Sequence, residues 1–133
     1  MKRVRVREIM SRPVHVLMAD ETLELAEAMM RVEAVHHLPV LEKGRVVGVV
    51  TSADVLRAGR EGVWQREGLT ARELMSALPP VLAPDDSAVE AAVLLRNQTH
   101  LGCLLVVDEG QLVGIVTPTN FLDFAIRSLE PGV

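Results

Sequence analysis

Apolar residues in the first half of the chain follow strand and helix spacings in turn. A short β-branched run at 13–18 predicts a strand. Apolar residues at helical spacing then follow Thr22, which predicts a helix with a threonine N-cap. Two further apolar runs, 38–41 and 46–51, are joined by a short segment containing glycine, which predicts a β-hairpin. A short helix is expected next, over 52–58.

The second half of the chain repeats this order of elements. We predict a strand near 81–82, a helix over 87–98, a hairpin over 104–117 and a helix over 118–129. The residues repeat as well as the pattern, in two pairs of segments: REIMS at 7–11 with RELMS at 72–76, and GRVVGVVT at 44–51 with GQLVGIVT at 110–117. This internal duplication predicts two tandem copies of one α/β unit. The residues between the copies predict an exposed linker, in which Trp64 is interpreted as a docking side chain.

Composition narrows the functional classes. The 133 residues are 49% hydrophobic and 24% charged, which is typical of one compact folded domain rather than a disordered chain. The net charge of −4 and the 2% aromatic content argue against nucleic acid as the main partner. The single cysteine favours a reducing compartment. No apolar run long enough for a signal peptide or a membrane span follows the basic N-terminus, so we expect a cytoplasmic protein.

The segment 88–95 is apolar nearly all round a helix. Such a helix must bury more than one face. One face can cover its own sheet, and the other is then expected to meet the sister repeat or a second subunit. A homodimer, or a heavily buried seam between the repeats, is therefore predicted. The alternative is an alanine-rich amphipathic helix with an ordinary solvent face.

Besides the two REIMS-like segments, the chain carries His37-Leu38-Pro39-Val40 and two segments that run from a glycine to an aspartate or an asparagine: Gly48-Val49-Val50-Thr51-Ser52-Ala53-Asp54 and Gly114-Ile115-Val116-Thr117-Pro118-Thr119-Asn120. The order of these motifs resembles that of the cystathionine-β-synthase (CBS) domain family. The resemblance implies an α/β fold of two tandem CBS repeats, each β-α-β-β-α, packed with pseudo-twofold symmetry. Repeat 1 would occupy residues 6–59, the linker 60–70 and repeat 2 residues 71–129.

This resemblance also implies a regulatory, non-catalytic module. Members of the family bind adenosine-containing ligands in clefts between the repeats, and AMP, ADP, ATP and S-adenosylmethionine are the candidates here. The family further implies dimerisation through helices and an unidentified target protein. A structural dimerisation module with degenerate ligand sites is the alternative.

Thr51 and Asp54 are the strongest candidate ligand residues of the first copy. Thr51 lies where a strand ends and a helix begins, so the free backbone N–H groups and the helix dipole favour a phosphate there. The carboxylate of Asp54 can accept both hydroxyls of a ribose diol. The resemblance assigns these same roles to the two positions. The alternative interpretation is that both residues only cap the helix.

His36 and His37 precede the first hairpin and are candidates for contact with a phosphate, a role that the family implies for basic residues at this place. A histidine would make phosphate binding dependent on pH. An ordinary pair of exposed or core histidines is an equally good interpretation. No corresponding basic residue is present in the second copy, where Gly102 and Cys103 stand.

The second copy departs from the family pattern. Asn120 stands where the first copy has aspartate, and Pro118 removes one backbone donor. Thr117 and Thr119 keep their hydroxyls, so we expect a second, weaker ligand site. Two aliphatic positions of the first strands, where the family packs adenine, complete the candidate set: Val16 and Val81.

Catalysis and metal binding are not expected. The four histidines do not have a metal-ligand spacing with carboxylates. Cys103 lies in an apolar run, where cysteines are usually inert. No serine or lysine stands in a recognisable nucleophile setting, so the sequence predicts a protein that is not an enzyme and needs no cofactor.

Overall fold

The computed structural model describes residues 3–60, 68–97 and 101–130. Within them, the elements of the first copy are Leu17–Met18 (β1), Leu23–Glu33 (α1), His37–Glu42 (β2), Arg45–Thr51 (β3) and Ser52–Arg60 (α2). The second copy contains the short helix Ala71–Leu74 (α3), followed by Val81–Leu82 (β4), Ala88–Asn97 (α4), Leu104–Asp108 (β5), Gln111–Val116 (β6) and Pro118–Leu129 (α5). The predicted β-α-β-β-α order is confirmed in both copies.

Each copy forms its own three-stranded sheet, in the orders β1-β2-β3 and β4-β5-β6. In both, the first two strands are parallel and the hairpin strands are antiparallel. The two hairpins turn through two-residue loops with positive φ angles, at Lys43 (52°) and Gly44 (78°) and at Glu109 (50°) and Gly110 (79°). Positive φ at both loop residues matches the twist of the flanking strands, which is why these short loops form hairpins.

The sequence-based bounds differ most from the observed ones at the first strand, and they also differ at the end of α2. The strand predicted over 13–18 is reduced to Leu17–Met18, because β1 pairs with β2 at only those residues. Helix α2 continues through Gly59 to Arg60. A single glycine costs a helix about 1 kcal/mol relative to alanine, so it weakens the helix without ending it. Trp64 lies outside the described residues.

The compact units of the fold do not coincide with the sequence copies. One unit is His15–Leu78, and the other combines Met1–Val14 with Pro79–Val133. The segment that opens each sequence copy therefore packs on the sheet of the other copy. Residue Ser76 pairs with Val49 of β3, and Ser11 pairs in the same way with Ile115 of β6.

These opening segments, each of which crosses to the sheet of the other copy, are the crossing segments of the fold. They supply buried side chains to both cores. Leu69, Ala71 and Leu74 pack with the residues that β1, α1, β2 and β3 bury. Val6 and Ile9 do the same for the unit containing β4 to β6, and Val6 is fully buried. Burial of this kind stabilises each unit by roughly 1.5–3 kcal/mol per large apolar side chain.

Arginines of the same segments form ion pairs with acidic residues at the surface. Arg72 donates hydrogen bonds to Asp20 and Glu42, and the Glu42 and Asp20 carboxylates raise the pKa of its guanidinium. Arg7 donates in the corresponding way to Asp85. All of these groups are exposed, so their contribution is small compared with that of the buried side chains.

Helix α4 buries one face in its own unit, through Ala88, Ala91 and Leu95. Its opposite face is open within the chain, since Val89 is 72% exposed and Val93 is 41% exposed. The expectation that this helix buries more than one face is therefore not met within the chain itself. The open face is what a partner subunit would have to cover.

Gly48 provides a test of the crossing segment. A Cβ at this position would lie 2.6 Å from Met75 Sδ and 2.7 Å from the backbone oxygen of Ser76, which accepts a hydrogen bond from Val49. Because that backbone cannot move without breaking the bridge, Gly48→Ala should lower the free energy of unfolding by about 1–3 kcal/mol. Chemical denaturation monitored by circular dichroism measures the change.

Gly114→Ala is the matched control. The three atoms nearest to its Cβ would all belong to the side chain of Met10, whose Sδ and Cγ can move away by a change of rotamer. We expect a smaller loss of stability there. An equal loss at both positions would contradict the role given to the Ser76 backbone.

Candidate functional site

The turn between β3 and α2 joins Thr51 and Asp54 in a reciprocal pair of hydrogen bonds. The backbone N–H of Thr51 donates to Asp54 Oδ2 at 2.8 Å, and the N–H of Asp54 donates to Thr51 Oγ1 at 3.1 Å. This is the capping-box arrangement, in which the two side chains satisfy two of the backbone donors at the start of the helix. Both residues therefore cap α2, as the structural interpretation of the sequence predicted.

Two further donors surround the carboxylate of Asp54. Arg57 Nη2 lies 2.7 Å from Oδ1, and the hydroxyl of Ser76 lies 2.9 Å from Oδ1 and 3.2 Å from Oδ2. The side chain of Asp54 is only 1% exposed. A buried carboxylate requires paired charge and full hydrogen bonding, and this one has both.

His36 and His37 lie beside the same turn. His36 accepts a hydrogen bond through its backbone oxygen from the N–H of Ser52, at 3.0 Å. Its Nδ1 is 2.9 Å from the hydroxyl of Ser52, and its ring is exposed. His37 begins β2 directly opposite Thr51. The structure thus brings His36, His37, Thr51 and Asp54 together at the N-terminus of α2, where the dipole favours an anion.

The corresponding turn of the second copy has the same geometry with a neutral side chain. The N–H of Thr117 donates to Asn120 Oδ1 at 2.8 Å, and Asn120 Nδ2 donates to the hydroxyl of Ser11 at 2.9 Å. Pro118 occupies the first position of α5, as predicted, and Thr119 is exposed in the same turn. Because the N–H of Thr117 is a donor, it must face the oxygen of the Asn120 amide rather than the nitrogen. This contact fixes the orientation of that amide.

The serines at both turns were missed by sequence reasoning. Ser76 donates to a carboxylate in the first copy, whereas Ser11 accepts from an amide in the second. Both serines end the repeated REIMS and RELMS segments. That repetition was a signal of a shared role, but it could not identify the sheet against which each segment packs.

The helix residue that follows the capping side chain by three positions is basic in the first copy and acidic in the second. Arg57 neutralises Asp54 one turn along α2, but the corresponding residue of α5 is Asp123. An aspartate at position 120 would stand three residues from Asp123 on the same helix face, where like charges destabilise a helix. Asn120 keeps the capping hydrogen bond without that repulsion.

The two valines predicted to contact adenine are not core residues. Val81 begins β4 and is 44% exposed. Val16 lies directly before β1, outside the strand, and is half-buried. They are therefore not strand core residues, and both present apolar surface that a ligand could cover.

The described residues contain no arrangement suited to covalent catalysis through the cysteine. Burial raises the pKa of the Cys103 thiol to about 12, so at neutral pH it is not the thiolate that nucleophilic attack requires. Within residues 3–60, 68–97 and 101–130, no group of three or more histidine, cysteine or acidic side chains could hold a metal ion. None of the helices in those ranges combines the length and the apolar character needed to cross a membrane.

Known proteins match most of this chain in sequence, although the chain spans very different shares of their own length. A CBS domain-containing protein of Dictyostelium discoideum is 31% identical over 140 residues, which cover 97% of this chain and 96% of the relative. The homoserine O-acetyltransferase of Methanohalophilus mahii is 32% identical over 113 residues, but the chain spans only 22% of its length.

Two solved structures show the same architecture. A Vibrio cholerae protein assigned to acetoin utilization has a TM-score of 0.86 at 29% identity, covering 97% of this chain and 95% of that one. CBSX2 of Arabidopsis thaliana in complex with AMP has a TM-score of 0.81 at 26% identity, covering 93% and 97%. The CBS domain model matches residues 6–61 and 71–127. The chain therefore belongs to the CBS domain family and carries two copies of the domain.

Proposed function

We propose that the protein is a regulatory module that binds an adenosine-containing ligand at the turn between β3 and α2. The observation that carries this proposal is the meeting of the His36 ring, the Thr51 cap and the Asp54 carboxylate at one helix N-terminus. The AMP complex of CBSX2, at 26% identity, supports the ligand class. AMP, ADP, ATP and S-adenosylmethionine are the candidates.

Each part of the ligand has a matching group on the first copy. The N-terminus of α2 and the adjacent His36 and His37 favour a phosphate. Asp54 offers acceptors for the ribose hydroxyls. Val16, in the same unit, offers an aliphatic surface for adenine.

The second copy supplies a weaker site of the same kind, formed by Thr117, Thr119, Asn120 and Val81. An amide oxygen is neutral and accepts hydrogen bonds less strongly than a carboxylate. Pro118 leaves the turn with one backbone donor fewer. The two copies are therefore inequivalent, and the first binds more tightly.

We further propose a homodimer in which ligand binding shifts helix packing and thereby the state of a target protein. The exposed apolar side chains of α4 and α5 support a subunit contact on this face: Val89, Val93, Leu122, Ile126 and Leu129. The module acts by binding and performs no catalysis. The cytoplasm remains the proposed compartment, on the ground of the single, reduced cysteine.

One observation favours a second candidate function, a structural dimerisation module. Asp54 already has hydrogen-bond partners from Thr51, Arg57 and Ser76 and is almost completely buried. Calorimetric titration with the four candidate ligands decides between the two functions. Measurable heats that saturate support the regulatory module, and their absence with all four ligands supports the structural one.

Asp54→Ala should weaken adenosine binding by about 1.5–3 kcal/mol, the typical contribution of hydrogen bonds to a charged acceptor. Asn120→Ala should cost less, because its amide is neutral. Isothermal titration calorimetry on variants shown to be folded by circular dichroism measures both losses. Equal losses at the two positions would refute the ranking of the copies.

His36→Gln combined with His37→Gln should weaken the binding of AMP while leaving the binding of adenosine nearly unchanged. Glutamine keeps a polar side chain but cannot carry the positive charge that attracts a phosphate. Titration of both ligands against both proteins gives the comparison. If AMP and adenosine lose affinity together, the histidines support the fold rather than the phosphate.

Val93→Glu should dissociate the dimer without unfolding the subunit, because Val93 is 41% exposed within the chain. A charge placed in an apolar interface loses its hydration without gaining a partner. Gln111→Glu, which adds the same charge at an exposed strand position, is the control and should remain dimeric. Sedimentation velocity measures the association state, and a monomeric wild-type protein at high micromolar concentration would overturn the dimer.

A further inference from the structure

Among the residues that the structure describes, Ser76 is the one donor to Asp54 that comes from a distant part of the chain. Thr51 belongs to the turn that Asp54 caps, and Arg57 lies one turn along the same helix. The backbone of Ser76 is held by two hydrogen bonds to Val49, of 2.8 and 3.1 Å. Its hydroxyl is therefore kept beside the carboxylate, and only rotation of the side chain can remove it.

A ribose diol cannot reach Asp54 while all three donors stay in place. The carboxylate is 1% exposed, and the hydroxyl of Ser76 is within 3.2 Å of both of its oxygens. The N–H of Thr51 is fixed by the backbone of the turn. Arg57 supplies the positive charge that a buried carboxylate needs. The neutral hydroxyl of Ser76 is thus the donor that leaves at the lowest energetic cost.

We propose that Ser76 is a positioning residue that holds Asp54 in the unliganded protein and is displaced by the hydroxyls of the ligand. This inference rests on the proposed binding of an adenosine-containing ligand at Asp54. The hydrogen bond between Ser76 and Asp54 stabilises the free protein and opposes binding. Ser76 therefore lowers the affinity of the first site for every ligand with a ribose diol.

The second copy provides the internal comparison. Ser11 is also held by its backbone, through hydrogen bonds of 2.9 and 3.2 Å to Ile115. Its hydroxyl accepts from Asn120 Nδ2 and does not donate to Asn120 Oδ1. A ligand hydroxyl that donates to Asn120 Oδ1 does not compete with Ser11 for that oxygen, so removal of the Ser11 hydroxyl should not tighten binding.

The test compares Ser76→Ala with the wild-type protein. Removal of the hydroxyl should tighten adenosine binding about tenfold, the equivalent of one net hydrogen bond, and should lower the denaturation midpoint of the free protein. The affinity for 2′,3′-dideoxyadenosine should stay unchanged, because that probe lacks the 2′- and 3′-hydroxyls that would compete with Ser76. Isothermal titration calorimetry and chemical denaturation provide the two readouts.

Three controls separate displacement from a general loosening of the fold. Ser76→Thr keeps the hydroxyl and should restore the wild-type affinity. Ser11→Ala should leave the affinity for adenosine unchanged. In the Asp54→Ala background, Ser76→Ala should have no further effect on binding, since the two residues act through one hydrogen bond.

The outcomes distinguish this inference from the proposed function. If adenosine binds the wild type and Asp54→Ala weakens it, but Ser76→Ala leaves binding unchanged or weakens it, the role of Ser76 is refuted and the function stands. Equal changes for adenosine and dideoxyadenosine also refute displacement. If adenosine binds none of these proteins, the proposed function fails, and the role of Ser76 fails with it.

Discussion

The pairing of Ser76 with Val49, and of Ser11 with Ile115, is the constraint on which the rest of the molecule depends. Each pair attaches the opening segment of one sequence copy to the last strand of the other copy's sheet. The attachment brings Leu74 into one core and Ile9 into the other. The same contact places a serine hydroxyl beside the first turn of the helix that follows each hairpin. The packing of the two cores and the geometry of the candidate site therefore both depend on the pairing of each opening segment with the sheet of the other copy.

Local patterns were sufficient to predict the elements and the hairpins. The helix after Thr22, the two-residue turns and the start of α5 at Pro118 depend on residues close together in the chain. Capping side chains and glycine turns act over a few residues, so their effect is visible in the sequence. The duplicated motifs also indicated the family, because their order along the chain is specific to it even though each motif is short.

The partners in the buried hydrogen bonds could not be predicted from local patterns. Ser76 reaches Asp54 across 22 positions of the chain, and nothing local to either residue indicates that pairing. The near-complete burial of Asp54 was missed for the same reason, since Ser76 lies beside it only once the segment around Leu74 has packed on the sheet.

The arrangement of the two units along the chain has a consequence for synthesis on the ribosome. The unit His15–Leu78 is continuous, so all of its residues have been made before the second sheet begins. The segment containing Val6 and Ile9 is made before this unit, yet its buried core partners lie between Leu82 and Val116. At typical elongation rates of about 5–20 residues per second, that segment waits several seconds with its apolar side chains unpartnered. The segment containing Val6 and Ile9 is thus translated before the unit His15–Leu78 but can be buried only after that unit is complete.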